Sequence, residues 1–251
     1  MIKPYYETSL GKLYHGDCLE IMPELPKVDL VVTSPPFNLN INYGDIVDDN
    51  KSNEDYHLFA IETLKKLFPV IQNGGRVCFE IGGSGRNFPM SWWWQDAAYK
   101  GGFKLFSEIT LSHRKTNACA WGSWMKPDNV YTIPNFHMLY VFFKETATKV
   151  GDKTDIARNE FIEWTRGRWS ISWASHKLHP APFSTELPYR CVRLFGHCND
   201  LILDPFMGSG TTAVLCERLS RRWICIDLEE KNCEIAAKRI ETEASQLKLF
   251  R

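Results

Sequence analysis

LILDPFMGSGTT, from Leu201 to Thr212, is the stretch that decides the fold class. An apolar β-type run ends in an acid, a glycine loop follows, and helical spacing begins near Thr211. Gly208 and Gly210 let the backbone turn sharply and approach a ligand as closely as no side chain would permit. The helix starting at Thr211 offers unpaired N–H groups and the positive end of its dipole, which can hold a phosphate or an amino-acid-like carboxylate. No lysine completes a P-loop, and Ala213 stands where a strict GxGxxG needs glycine. About twenty residues on, WICI leads into Asp227, where a strand-end carboxylate can accept both hydroxyls of a ribose.

Working outward, the same strand–loop–helix alternation recurs upstream. VDLVVT (Val28 to Thr33) is a strand that Ser34-Pro35-Pro36 stops. Residues from about Glu54 to Ile71 carry helical apolar spacing, with Asn73-Gly74-Gly75 as the stop. Strands are expected at Arg76–Ile81, about Phe103–Leu111, about His137–Lys144, Leu201–Asp204 and Trp223–Asp227. Helices are expected at Thr211–Leu219 and from Glu229 to about Glu243. Such alternation predicts an α/β fold, a mostly parallel sheet with helices on both faces. Ligands of these sheets bind at the carboxyl ends of the strands, where both polar motifs fall.

The second motif is Thr33-Ser34-Pro35-Pro36-Phe37-Asn38. Two consecutive prolines lock φ and carry no N–H, so carbonyls there point outward without a local donor. An exocyclic amino group of a base needs acceptors that hold its nitrogen and draw it toward tetrahedral geometry. The Ser34 hydroxyl and Pro35 carbonyl can be those acceptors, with Phe37 stacking on the ring.

Together the motifs resemble the β-class DNA amino-methyltransferases, and the resemblance covers nearly the whole chain. It implies a single domain over residues 1–251 with a Rossmann-like S-adenosylmethionine-dependent methyltransferase fold: a catalytic block at about 10–145, inserted DNA-recognition loops at about 112–178 and a cofactor block at about 179–243. By the same resemblance Ser34, Pro35, Pro36 and Phe37 are catalytic, and Asp17, Asp204, Phe206, Gly208, Gly210, Thr211 and Asp227 line the cofactor site. His179, Pro180, Ala181, Pro182 and Phe183 close it from the other side. Ser184 departs from the proline that many relatives carry there, and the acidic loop from Asp45 to Asp55 is not foreseen by the motifs.

The implied reaction is direct transfer of a sulfonium methyl group to the amino nitrogen of a flipped base, without a covalent enzyme intermediate. In this family serine before Pro-Pro goes with cytosine N4 and aspartate with adenine N6, so Ser34 favours N4; adenine N6 is the alternative. Related Pro-Pro-aromatic motifs act on RNA or protein glutamine, and a non-catalytic DNA-binding module is the reading from another class. The implied partner is double-stranded DNA. A cognate restriction endonuclease, and the choice between monomer and homodimer, stay open.

Lys+Arg and Asp+Glu both number 30, so DNA contact must rest on a local basic face. Lys100, Lys104, Arg114, Lys115 and Lys126, against Glu108 alone, form one candidate. Arg166 and Arg168, with Arg158 and Lys177, form another that Asp152, Asp155, Glu160 and Glu163 dilute. The eight cysteines contain no CxxC pair, so no metal site is expected and the thiols read as buried and reduced. With no apolar signal core and no long apolar run, a cytoplasmic protein away from membranes is expected.

Overall fold

In Arg222–Asp227, Trp223 and Cys225 point to one face of the sheet, while Ile224 and Ile226 point to the other. All four are buried, so both faces are covered. The computed structural model describes residues 2–38, 49–82, 89–113, 136–171 and 184–249. In chain order the elements are β1 (Tyr6–Glu7), β2 (Gly11–His15), α1 (Cys18–Ile21), β3 (Val28–Thr33), α2 (Asn53–Leu67), β4 (Ile71–Gly82), α3 (Met90–Lys100) and β5 (Lys104–His113). They continue as β6 (Phe136–Phe143), α4 (Arg158–Trp164), β7 (Arg168–Ile171), α5 (Glu186–Phe195), β8 (Leu201–Asp204), α6 (Thr211–Arg218), β9 (Arg222–Asp227) and α7 (Glu230–Leu249).

The strands form one sheet in the order β1-β2-β9-β8-β3-β4-β6-β5-β7. The pairs β2–β9, β9–β8, β8–β3, β3–β4 and β5–β7 are parallel; β1–β2, β4–β6 and β6–β5 are antiparallel. Helices α1, α2 and α3 cover one face, burying Cys18, Tyr56, Leu64, Trp94 and Ala97 against Val31, Phe79 and Ile226. Helices α4 to α7 cover the other, packing Trp164, Cys191, Cys216 and Ala236 on Leu30, Val32, Ile202 and Cys225. Of the seven described cysteines all but Cys198 are buried. Among the described residues no helix is long and apolar enough to cross a membrane.

Local signals explain most elements. Ser52 caps α2 by accepting from the Asp55 amide at 3.1 Å, with Glu54 and Asp55 at the positive end and Lys65 and Lys66 at the negative end. Asn73-Gly74-Gly75, expected to divide a helix from a strand, instead lies inside β4. Gly74 adopts φ 76°, and the register jumps from Val28↔Ile71 to Leu30↔Arg76, so the glycines make a bulge while the Gly74 amide still donates to the Lys144 carbonyl. Helix α3 was not foreseen, although Met90, Trp93, Trp94, Ala97 and Ala98 are buried at helical spacing; the run Trp92-Trp93-Trp94 hides that period. The short β2, α4, β7 and α5 were missed as well.

Candidate active site

From β8 the chain passes outward to β9, and from β3 outward to β4 in the other direction. The order therefore reverses between β3 and β8, and the carboxyl ends of those two strands flank the crevice where open α/β sheets take their ligands. Thr33 ends one strand and Asp204 the other. The Asp204 carboxylate accepts from Thr33 Oγ1 at 2.7 Å, from Thr212 Oγ1 at 2.6 Å and from the Phe206 amide at 3.1 Å. Burial pushes its pKa up to about 6, the three donors opposing the rise and the nearby Asp227 charge adding to it. Expected to line the cofactor site, the Asp204 side chain is instead a buried strut. It joins the strand before Ser34 to the helix after the glycine loop.

The loop itself turns through Gly208 at φ 55° and Gly210 at φ 80°. A Cβ on Gly210 would lie 2.7 Å from Ala236 Cβ of α7, so packing and backbone conformation both require glycine there. Gly210 is also the N-cap of α6 and supplies no side-chain cap, which leaves the first-turn amides to a ligand or solvent. Arg239 of α7 holds the loop from behind. Its Nη1 donates to Ser209 Oγ at 2.7 Å, to the Ser209 carbonyl and to Thr211 Oγ1 at 3.5 Å. Thr211 is consequently buried with its hydroxyl turned toward Arg239.

At the end of β9, Asp227 Oδ2 accepts from the Gly208 amide at 2.7 Å, and Oδ1 accepts from the Glu229 amide at 2.9 Å and Asn232 Nδ2 at 3.1 Å. Burial raises its pKa, against the pull of these donors. A carboxylate offers about four lone-pair sites. Three are filled here, so the arrangement leaves room for one further donor at Oδ2 rather than for two ribose hydroxyls. Asp17 lies next door: it caps α1 through the Leu19 amide at 2.8 Å, and Gly16 before it donates to the Asp227 carbonyl. Phe206 is half-buried against Phe59, with ring centroids 5.9 Å apart.

The Ser34–Phe37 segment leaves β3 directly beside this loop, with Pro35 buried and Ser34, Pro36 and Phe37 half-buried. Three contacts that local sequence does not announce hold it. Tyr56 Oη donates to the Pro36 carbonyl at 2.7 Å. Asn38, at φ 56°, exchanges hydrogen bonds with Lys51: the Lys51 amide donates to Oδ1 at 2.7 Å and Nδ2 donates to the Lys51 carbonyl at 2.8 Å. The Asn38 amide donates to the buried Asp49 at 2.8 Å, which gives one member of the unforeseen acidic loop a structural task. Phe37 packs its ring against His137, centroids 5.6 Å apart, and His137 Nδ1 pairs with the buried Glu80.

The expected basic faces are only partly brought together. Lys104 pairs with Phe143, which itself pairs with Arg76, so it sits level with Leu30 rather than at the Ser34 end of the sheet. Arg166 and Arg168 are exposed at edge strand β7, four strands from β3, or roughly 19 Å at the usual inter-strand spacing. Arg114, Lys115, Lys126 and the His179–Phe183 segment lie outside the described residues.

A family model described as DNA methylase, of the N6/N4 methyltransferase type, matches residues 28–238. Type II methyltransferase M.MjaVI of Methanocaldococcus jannaschii is 32% identical over 66% of this chain and 87% of its own length. M.BamHI of Bacillus amyloliquefaciens is 27% identical over 99% of this chain, which spans 61% of that relative. M.ScaI of Streptomyces caespitosus is 26% identical over 98% of this chain and 86% of its own. The fold is shared with a Thermus thermophilus protein described as a DNA modification methylase and solved with S-adenosyl-L-methionine (TM-score 0.73, 24% identity, 92% and 93% of the two chains). It is shared too with PvuII DNA methyltransferase, described as cytosine-N4-specific (TM-score 0.70, 23% identity, 98% and 95%).

Proposed function

The chain belongs to the DNA methylase family, and from that premise we propose that it transfers a methyl group from S-adenosylmethionine to an exocyclic amino nitrogen of duplex DNA, at cytosine N4. One observation carries the reading. Asp204 binds Thr33 and Thr212 at once, so the amino-acceptor segment and the glycine loop form a single rigid unit at the crevice. Transfer between two bound groups depends on holding them in line, which a fixed spacing between their two half-sites provides.

The residues present fit that cosubstrate. The uncapped first turn of α6 suits an amino-acid carboxylate, the left-handed glycines permit close approach, Asp227 retains an acceptor position, and Asp17 and Phe206 stand beside them. When bound, S-adenosylmethionine supplies an electrophilic methyl group. The chain's own work is to hold the amino nitrogen. Ser34 Oγ and the Pro35 carbonyl accept its two N–H bonds, which withdraws lone-pair density from the ring, and Phe37 stacks on the base. Preorganised acceptors of this kind lower the barrier without reorganising during the reaction.

Ser34 before Pro35-Pro36 supports cytosine. The test is to incubate the protein with S-adenosylmethionine and unmethylated mixed-sequence duplex DNA, digest to nucleosides and weigh the product. N4-methylcytosine is expected. N6-methyladenine would keep the site and overturn the base.

A further inference from the structure

We infer that Tyr56 of α2 is a positioning residue for catalysis, setting the conformation of the Ser34–Phe37 segment through the Pro36 carbonyl. This rests on the role proposed above for that segment. Tyr56 is 1% exposed, and the Trp94 indole of α3, itself fully buried, donates to Tyr56 Oη at 3.0 Å. An indole N–H is a donor only. Tyr56 oxygen must therefore accept from Trp94, and its single proton is directed at Pro36, 2.7 Å away. The relay thus has one direction, from Trp94 to Tyr56 to Pro36.

The consequence follows from proline geometry. The rings of Pro35 and Pro36 fix both φ angles, so from Ser34 to Phe37 the segment retains mainly ψ rotations. Capture of the Pro36 carbonyl fixes the last of these, and with it the Pro36–Phe37 peptide plane. That plane sets where the Phe37 ring begins, and it turns the Pro36 carbonyl away from competition with Pro35 for the amino group. The Asn38–Lys51 clasp and the Thr33–Asp204 bond hold the two ends but not the middle. Tyr56 supplies that middle restraint. It is also tied to the other half-site, since it packs on Phe59, and Phe59 packs on Phe206 of the glycine-loop strand.

The test compares Tyr56→Phe, which keeps the ring and removes the hydroxyl, with Tyr140→Phe. Tyr140 is a second buried tyrosine of the same core, and its hydroxyl bonds Ser91, remote from the segment. Each variant is assayed with tritiated S-adenosylmethionine and unmethylated mixed-sequence duplex DNA, alongside melting temperature and cofactor binding by calorimetry. Tyr56→Phe is expected to lower kcat roughly 10–100-fold, the range for a misplaced reacting group. The KM for S-adenosylmethionine and its calorimetric Kd should change less than about twofold, well inside a tenfold affinity step. Tyr140→Phe should lower the melting temperature comparably and leave kcat near wild type. A kcat within twofold of wild type in Tyr56→Phe, or equal losses in both variants, overturns the inference while leaving the proposed function intact. Absence of methyl transfer by the wild-type protein overturns the proposed function and this inference with it.

Discussion

Replacing Thr33 by valine keeps the shape and strand preference of a fully buried residue and deletes one donor to Asp204. The magnitude follows from the state of that carboxyl. Burial raises its pKa from 3.8 to about 6, which at about 1.4 kcal/mol per pKa unit means ionisation costs the folded chain about 3 kcal/mol, even with three donors in place. Between about pH 4 and 6 the folded chain therefore retains a proton that the unfolded chain has released, and stability falls as pH rises through that window. A hydrogen bond to a charged group contributes about 1.5–3 kcal/mol and one to a neutral group about 0.5–1.5 kcal/mol. Thr33→Val should thus destabilise by about 2 kcal/mol at pH 8 and by about 1 kcal/mol or less at pH 5, because the missing donor drives the Asp204 pKa still higher. Urea denaturation followed by tryptophan fluorescence at both pH values reads this as a midpoint shift of roughly 1 M at pH 8. An equal loss at the two pH values, or none at pH 8, would refute the idea that an ionised Asp204 is what Thr33 supports.

Three further substitutions probe the cofactor half-site. Asp227→Ala should weaken S-adenosylmethionine binding by tenfold or more by calorimetry and cost about 1 kcal/mol of stability, since the start of α7 and the Gly208 amide both lose their acceptor. Gly210→Ala should destabilise by about 2 kcal/mol or more in the same urea assay, from a left-handed backbone plus a 2.7 Å approach to Ala236; a loss below about 0.5 kcal/mol would show that the loop re-forms around the methyl group. Arg239→Met keeps the aliphatic stem and releases Ser209 and Thr211, so cofactor affinity should fall about tenfold while turnover at saturation survives. A fall in turnover with affinity unchanged would place Arg239 in a different role.

What could be read from the sequence was what local chemistry encodes. Leu201–Asp204 ends where an acid and glycines follow, and Val28–Thr33 ends at two prolines, so both strand ends and the crevice between them were legible. The residues that hold the site were not. Tyr56 meets Pro36 twenty positions away, Arg239 meets Ser209 thirty away, and Glu80 meets His137 fifty-seven away. Each is an ordinary member of its own helix or strand, and only packing of α2, α7 and β6 against the sheet brings it to the loop. Asp204 and Thr211 show the converse. A motif marks them, yet burial turns their side chains toward Thr33, Thr212 and Arg239 rather than toward a ligand. The Asn73-Gly74-Gly75 bulge fails for the same reason, since pairing with β6 overrides a local stop signal.

The account stands or falls on whether Ser34 is the acceptor that activates an amino group. The direct measurement is tritiated methyl incorporation into duplex DNA by the wild-type protein and by Ser34→Ala, with S-adenosylmethionine affinity measured on both. Incorporation by the wild type, with a roughly 100-fold lower rate and unchanged affinity in Ser34→Ala, is the predicted result. Equal rates in the two proteins would contradict it.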